Sequence, residues 1–278
     1  MAYDGYRSIS VSRSDGVATI EIDHPPINLM GNEIIGDFMR LAPELALDDD
    51  VRVAVFRSAN PEFFIAHADV SLIQQLPAQD PEDVKEMSFF HVMVEKYRTL
   101  PKVTIGVIEG CARGGGSEFL LSLDMRFGAI GRCLLGQPEV ALGILPGGSG
   151  TQRLPRLMGR SRALEVVLGC DDFDAELAER YGWINRALPP DEIGPFVDRL
   201  AKRIASFPAI AIERAKRSVL AADLGVEEGL VLEQRSFVEL LASPEAQERM
   251  KTFMAAGGQT REKELRLGTH IDEMTQAR

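Results

Sequence analysis

The order of apolar and polar positions predicts a hairpin and then a helix at the start of the chain. Apolar residues alternate over 17–23, which indicates a strand, and a second strand is predicted over 6–12. Ser14-Asp15-Gly16 between them is a typical turn sequence. Apolar residues then recur at helical spacing over 32–46. The alternating face consists of Ala18, Ile20 and Ile22; the helical face consists of Ile34, Ile35, Phe38, Leu41 and Leu45.

Further along the chain, apolar strands alternate with helical segments. We predict strands over 51–56, 103–108 and 125–130, and a helical stretch over about 82–98. Such alternation is typical of a layered α/β core with parallel strand pairing. The predicted fold class is therefore α/β.

Capping residues predict where the later helices begin and end. Ser161 is predicted to cap a helix ending at Gly169, and Asp174 to cap one ending at Gly182. Ser243-Pro244-Glu245 predicts another helix start, with an end at Gly257-Gly258.

After Phe207-Pro208 the pattern becomes wholly helical and carries an apolar stripe. A stripe of this kind must be buried, either within its own core or against a neighbouring subunit. The tail from Gln259 onward is polar and charged. The stripe consists of Val226, Leu230, Phe237 and Leu241.

Composition excludes several classes of protein. The formal net charge is -11, which argues against nucleic acid as a partner. No apolar stretch is long enough to span a membrane, and no signal peptide is recognised at the start. Three scattered cysteines without a CxxC pair favour reduced thiols, and we expect a cytoplasmic protein.

No metal-binding pattern is present in the sequence. The four histidines are isolated and no HExxH motif occurs, so we predict no metal. The acidic run at 48–50 is predicted to be a solvated loop.

The run from Arg113 to Glu118 contains three consecutive glycines at a predicted helix start. Glycine permits close approach of a ligand to the backbone, and the first N–H groups of a helix have no helical partner. Such a group is half of an oxyanion hole, and Glu118 follows one turn later. Tight packing is the alternative explanation for the glycines, and a favourable helix-dipole contact is the alternative for the glutamate. A phosphate loop is not supported, because no Gly-Lys-Ser/Thr follows.

Together with three further motifs, this run resembles the crotonase (enoyl-CoA hydratase/isomerase) superfamily. The resemblance extends over roughly residues 5 to 255. The motifs are Phe64-Ile65-Ala66-His67-Ala68-Asp69-Val70, Gly114-Gly115-Gly116-Ser117-Glu118, Gly136-Gln137-Pro138-Glu139 and Leu145-Pro146-Gly147-Gly148-Ser149-Gly150-Thr151-Gln152-Arg153-Leu154.

The resemblance implies a spiral core of ββα turns followed by a helical oligomerisation region. We place the core with its acyl-CoA site at 1–205, and the helical region with its polar tail at 206–278. The resemblance also implies a homo-oligomer, either a trimer or a hexamer.

The resemblance assigns roles to individual residues. The N–H groups of Ala68 and Gly115 match the donors that hold a thioester carbonyl. Glu118 matches the residue that orients and deprotonates water, and Glu139 the residue that delivers a proton to C2. No cofactor is expected, because coenzyme A arrives as part of the substrate. The implied substrate-binding residues are Asn28, Leu29, Ala66, Asp69, Val70, Gly114 and Gly116.

His67 departs from the family pattern, which usually has glycine before the oxyanion donor. Either the backbone angles of His67 are ordinary or the loop differs, and the imidazole either turns away or adds a polar group to the pocket. The run Gly147-Gly148-Ser149-Gly150 is not a nucleophile motif, because Thr151 stands where GxSxG requires glycine.

The leading hypothesis is hydration of a 2-trans-enoyl-CoA thioester. An enoyl-CoA isomerase, or another crotonase-type reaction of an acyl-CoA, is the alternative. A hypothesis of a different class is a non-catalytic scaffold that binds CoA esters or RNA. The glutamate pair argues against the scaffold, and the acidic charge argues against RNA.

Overall fold

The computed structural model describes residues 3–77, 80–257, 259–260, 263, 266–267, 271 and 273. The chain divides into two compact units, Met1–Ala201 and Lys202–Arg278.

The first unit opens with the predicted hairpin. Strands β1 (Ile9–Ser14) and β2 (Val17–Ile22) pair antiparallel, with Ser14 opposite Val17. Asp15 and Gly16 both have positive φ, 53° and 77°, as the tight two-residue turn requires. The hairpin prediction is confirmed, and its alternating apolar face is fully buried.

A six-stranded sheet forms the centre of the first unit. Its order is β1-β2-β3-β5-β7-β10, and every pair after the hairpin is parallel. The predicted strands at 51–56, 103–108 and 125–130 correspond to three of its members, with ends shifted by at most two residues. The added strands are β3 (Val53–Ser58), β5 (Val103–Ile108), β7 (Met125–Ala129) and β10 (Arg186–Leu188).

A smaller sheet receives the chain after β3, β5 and β7 of the central sheet. Its order is β4-β6-β8-β9, with the first three strands parallel. Each passage through the two sheets is followed by a helix, which produces repeated ββα turns. The α/β fold and its spiral form are therefore confirmed. The strands are β4 (Phe63–Ile65), β6 (Cys111–Arg113), β8 (Leu134–Gly136) and β9 (Phe173–Asp174).

Helices of the first unit cover these sheets. Helix α1 begins at the predicted residue, and the helix predicted over 174–182 forms with Asp174 as its cap. The helices are α1 (Asn32–Leu47), α2 (Val70–Gln74), α3 (Phe89–Arg98), α4 (Gly115–Ser122), α5 (Gly150–Met158), α6 (Arg160–Gly169) and α7 (Ala175–Tyr181).

Two helix-start predictions were wrong. The stretch over 82–98 is helical only from Phe89, because Ser88 caps that helix by accepting a hydrogen bond from the N–H of His91. Helix α6 begins at Arg160 rather than after Ser161, with Gly159 as its cap. Gly159 has φ 81°, a value that glycine adopts without strain.

The acidic run was also only partly solvated, contrary to the prediction. Asp48 is buried, accepts hydrogen bonds from the Tyr3 hydroxyl and the Arg13 guanidinium, and has a pKa held below its usual value, with its burial opposing the shift. Asp49 and Asp50 are exposed as expected.

A cluster of four aromatic rings anchors the core beneath α4. Phe119 stacks on Phe38 with centroids 4.4 Å apart, and it meets Phe56 and Tyr97 edge-on at 5.4 and 5.1 Å. All four side chains are fully buried. Since Phe119 follows Glu118 directly, this packing sets the position of the glutamate's helix.

Every regular element in the described residues of the second unit is a helix, as predicted. Ser243 caps α11 and Pro244 is its first residue, while Gly258 of the predicted stop lies outside the described residues. Helix α8 (Pro190–Ala205) leads into this unit, which contains α9 (Ala209–Leu220), α10 (Val226–Leu241) and α11 (Pro244–Ala255). In the described part of the chain, no helix combines the length and apolarity needed to cross a membrane.

Candidate active site

Three neighbouring strands of the small sheet deliver the predicted site residues to one edge. Strand β4 leads to Ala68, β6 leads to Gly114 and Gly115, and β8 leads to Glu139. These strands are parallel and adjacent, so their carboxyl ends lie at the same edge of the sheet. Segments far apart in sequence therefore meet there.

The two predicted oxyanion donors lie against each other. A β-carbon built on Gly115 would be 3.0 Å from Cβ of Ala68 and 3.4 Å from its backbone nitrogen. Gly115 is the first residue of α4, so its N–H has no partner within the helix. Within the described ranges, neither N–H donates a hydrogen bond to the protein.

The Ala68 segment is held through its neighbours. Met30 bridges it in parallel fashion: its N–H donates to the His67 carbonyl at 3.0 Å, and its carbonyl accepts from the Asp69 N–H at 3.0 Å. In such a bridge the intervening N–H of Ala68 faces away from Met30. The peptide that carries this N–H is thus fixed and polarised by the bond to its own carbonyl.

His67 has an ordinary backbone conformation, outside the positive-φ region. Its Nδ1 lies 2.8 Å from the Ala68 carbonyl oxygen. Because a carbonyl can only accept, Nδ1 carries the proton in this contact. The first of the two alternatives for this substitution therefore holds: histidine fits here without backbone strain.

Glu118 is buried, at 3% exposure, on the first turn of α4. One carboxylate oxygen, Oε1, accepts hydrogen bonds from the N–H groups of Gly148 and Gly150, at 2.7 and 2.8 Å. Burial raises the pKa of Glu118, while the two N–H donors and Arg153 oppose that rise. The result is a fixed carboxylate of increased basicity.

Glu139 follows β8 and opens a short 3₁₀ turn, Glu139–Leu142. Burial, with a contribution from the charge of Glu118, raises its pKa to about 7. A β-carbon at Gly114 would be 2.7 Å from its Oε1, and Gly114 has φ 47°. The positive φ favours glycine at position 114, and a β-carbon there would displace the Glu139 carboxyl group.

Gln137 binds Glu139 and lies near Glu118. In the amide orientation that satisfies its neighbours, Nε2 donates to both oxygens of Glu139, at 3.1 and 3.2 Å. The end of the same amide and Oε1 of Glu118 each lie 3.1 Å from a β-carbon built on Gly150. Glu118, Gln137 and Glu139 thus lie in one local group, and the charge of Glu118 contributes to the raised pKa of Glu139.

The remaining predicted substrate-binding residues differ in availability. Asn28 is buried with φ 50°, and its side chain binds Ser58, the Phe63 and Phe64 carbonyls and the His24 N–H. It holds the loop before Ala68 rather than presenting an amide to a ligand. Leu29 is half-buried.

Four further predicted residues lie around the corner of Ala68 and Gly115, namely Ala66, Asp69, Val70 and Gly116. Both backbone groups of Ala66 are bonded, to Ile27 and Arg113. Asp69 caps α2 by accepting from the N–H and hydroxyl of Ser71, whose bonds hold its pKa below the usual value. A β-carbon on Gly116 would be 2.4 Å from the Ile65 carbonyl, and Val70 is exposed.

Sequence reasoning assigned no role to several residues that shape this site. Gln137 lies within the Gly136-Gln137-Pro138-Glu139 motif, but no role was predicted for it. The signal that the sequence offered was an amide residue between two glutamates. Gly148, Gly150 and Arg153 were considered only as members of the motif at 145–154. The bonds of the two glycine N–H groups to Glu118, and the effect of the Arg153 charge on it, depend on tertiary structure.

Metal binding finds no support in the part of the chain that the structure describes. No group of three or more His, Cys, Asp or Glu side chains there is arranged to hold an ion. Cys111, Cys133 and Cys170 are free thiols.

The two-sheet spiral of ββα turns defines an α/β protein of the crotonase class. The chain belongs to the enoyl-CoA hydratase/isomerase family, whose sequence model matches residues 12–259. The family resemblance is thereby confirmed.

Individual relatives extend over nearly the whole chain. The crotonyl-CoA hydratase of Syntrophomonas wolfei is 28% identical over 254 residues, covering 90% of this chain and 95% of the relative. A Streptomyces avermitilis protein of known crystal structure is 42% identical in sequence to this chain, with a TM-score of 0.71. The match covers 98% of this chain and 100% of that protein's chain. An enoyl-CoA hydratase structure from Geobacillus kaustophilus is 28% identical, with TM-score 0.83 and coverage of 91% and 95%.

Proposed function

We propose that this chain catalyses the addition of water to the double bond of a 2-trans-enoyl-CoA thioester. The observation that carries the proposal is the convergence of two unbonded backbone N–H groups, at Ala68 and Gly115, with two buried or half-buried glutamates. Family membership and hydratase-named relatives support the same reaction class.

The thioester oxygen would bind at the corner of Ala68 and Gly115. As hydroxyl adds to C3, the electrons of the double bond move toward C2 and the carbonyl oxygen, where negative charge accumulates. Fixed N–H donors stabilise that charge without reorganisation, and losing one donor of this kind typically costs about 3 kcal/mol of barrier.

Glu118 is suited to take the proton from the water molecule. Its elevated pKa makes it a stronger base than an exposed carboxylate, and the bonds to Oε1 hold it in place. Glu139, with a pKa of about 7, is protonated in a large fraction of molecules at neutral pH. It is therefore suited to deliver a proton to C2, which completes the 3-hydroxyacyl-CoA.

The remaining parts of the proposal follow from the substrate. Coenzyme A enters as part of the thioester, and no further cofactor is required for this proton chemistry. The free thiols favour a cytoplasmic location.

An enoyl-CoA isomerase is the second candidate, because Glu139 alone, with a pKa of about 7, is suited to shuttle a proton between two carbons.

The test is the loss of conjugated-thioester absorbance when the protein is mixed with crotonyl-CoA. Glu118→Gln and Glu139→Gln retain side-chain size but cannot exchange a proton, so each should lower kcat roughly 100-fold or more. The double variant should lose much less than the product of the two effects, since residues acting as a unit are non-additive.

Ligand binding should survive in both variants, because the oxyanion donors are backbone groups. If the Glu118→Gln variant hydrated crotonyl-CoA at the wild-type rate, Glu118 would have no role in the mechanism. If Glu118→Gln moved the double bond of a 3-enoyl-CoA at the wild-type rate while Glu139→Gln did not, the isomerase would replace the hydratase.

A further inference from the structure

The carboxylate of Glu118 sits in an anion-binding backbone turn. The N–H groups of Gly148 and Gly150, two residues apart, point to the same oxygen at 2.7 and 2.8 Å. Alternate N–H groups converge in this way when the residue between them is left-handed, which is the geometry of a backbone nest. The residue between them is Ser149.

Ser149 is in an unfavourable conformation for its residue type. Its φ is 106° and its ψ is -3°, in a region that glycine enters freely and serine enters only with strain. Strained backbone persists where surrounding contacts hold it. The convergence of the two N–H groups on Glu118 therefore needs a contact that holds Ser149.

Arg153 provides such a contact. Its Nε donates to the Ser149 hydroxyl at 2.8 Å, one turn along α5, and its Nη2 binds a carboxylate oxygen of Glu95 on α3. The Arg153 side chain is only 12% exposed. Glu95 also accepts from Arg98 at 2.8 Å, which fixes the carboxylate from the other side.

We propose that Arg153, itself held by Glu95, is a positioning residue that keeps Ser149 left-handed and so aims the N–H groups of Gly148 and Gly150 at Glu118. The inference rests on the proposed function in that the carboxylate it positions is the proposed base. Arg153 touches neither substrate nor reacting atoms in this role.

The decisive comparison places the same arginine substitution in two backgrounds. Arg153→Met should lower kcat by roughly tenfold, part of the ~100-fold expected for loss of the base, with KM little changed. In a Ser149→Gly background the same substitution should lower kcat much less, because glycine adopts φ 106° without being held. Arg160→Met is the matched control: it removes an exposed arginine at the start of α6, outside the Glu95–Arg153–Ser149 contacts, and it should leave kcat near wild type.

Arg153→Lys separates position from charge, and serves if Arg153→Met does not fold. Lysine keeps a positive charge near Glu118 but cannot bridge Ser149 and Glu95 as the planar guanidinium does. It should therefore reduce kcat nearly as much as methionine. Wild-type kcat in Arg153→Lys, or an equal loss in both Ser149 backgrounds, would overturn the proposal.

Amide hydrogen exchange of the full chain gives a readout without substrate. The Gly148 and Gly150 amides should exchange several-fold faster in Arg153→Met than in wild type, with a smaller increase in the Ser149→Gly background. Unchanged protection would sink the positioning role even if hydration is observed. Faster exchange in a protein that does not hydrate crotonyl-CoA would preserve the positioning role and reject only the proposed function.

Discussion

The surroundings of Glu139 raise the pKa of its carboxyl group into the neutral range. It is half-buried beside the charge of Glu118, so its ionised form is disfavoured and its pKa rises to about 7. Gln137 donates to both its oxygens, which keeps the carboxyl oriented. A pair of carboxyl groups with different surroundings is the usual basis for dividing acid and base roles.

The same pKa predicts how Glu139 affects stability. The folded pKa of about 7 exceeds the ordinary value of 4.5, so the folded state binds the proton more tightly than the unfolded state. The contribution of Glu139 to the free energy of unfolding should therefore fall as pH rises from about 4.5 through 7. Glu139→Gln cannot ionise and should escape this loss.

Thermal unfolding across pH measures the effect. Above pH 7, Glu139→Gln should melt at a higher temperature than wild type, and the difference should shrink as pH falls toward 4.5. A melting-temperature difference that stays constant with pH would show that Glu139 does not carry a raised pKa. Glu62→Gln, at an exposed position, is the control.

At the scale of elements, the candidate site depends on helix α4. The two ends of this helix differ in how their backbone groups are hydrogen-bonded. Its N-terminus leaves the Gly115 N–H open toward the Ala68 segment. Its C-terminus is covered by Arg126, which lies on β7, is 5% exposed and donates to the carbonyls of Leu120 and Leu123. Burial lowers the pKa of Arg126 to about 10, so it is still charged at neutral pH.

Removing that cation should destabilise the helix and the fold. Arg126→Met leaves the carbonyls of Leu120, Leu123 and Trp183 without this donor in a buried place, at a cost of about 3 kcal/mol or more. The urea midpoint of unfolding measures the loss. Arg132→Met, at a 53% exposed side chain paired with Glu109, should change stability by less than about 0.5 kcal/mol.

An equal effect of the two arginine substitutions would contradict the capping role of Arg126. A large loss confined to Arg126→Met would support it. The contrast is informative because both residues are arginines with acidic or carbonyl partners, and they differ chiefly in burial.

Prediction of elements succeeded where local pattern and packing agree. The hairpin follows from strict alternation and a turn of positive φ, and α7 from Asp174, whose side chain accepts from the Leu177 N–H. The prediction that residues 84–88 are helical was wrong. Their composition is compatible with a helix, but Ser88 and the contacts of α3 decide where the helix begins.

At the scale of the whole molecule, α10 carries the apolar stripe that the sequence predicted. In the single chain its four members are exposed; Phe237, for example, is 58% exposed and Val226 79% exposed. An apolar patch of this kind on a monomer commonly marks a protein–protein contact. Assembly into a trimer or hexamer, expected from the family, remains a prediction.

Light scattering at micromolar concentration tests that expectation. Wild type should have a mass several times that of the chain, and Leu230→Ser with Phe237→Ser should reduce it. Leu47→Ser, at another 71% exposed leucine at the end of α1, should not change the mass. A wild-type monomer, or assembly indifferent to the double substitution, would contradict the prediction.

Local sequence by itself determined the hairpin, the alternating strands, the glycine-rich helix start and the two glutamates in their motifs. Each depends on periodicity, turn chemistry or residue type within a short window. It also identified the family, through motifs that occur together and in order.

Only the tertiary structure decided how those parts act on one another. Parallel pairing of β4, β6 and β8 brings Ala68 to Gly115. The fold turns Gly148 and Gly150, about thirty positions after Glu118, onto its carboxylate. Burial then raises the pKa of both glutamates. Such contacts join segments distant in sequence, and their energies depend on distance and desolvation, neither of which a local pattern of residues contains.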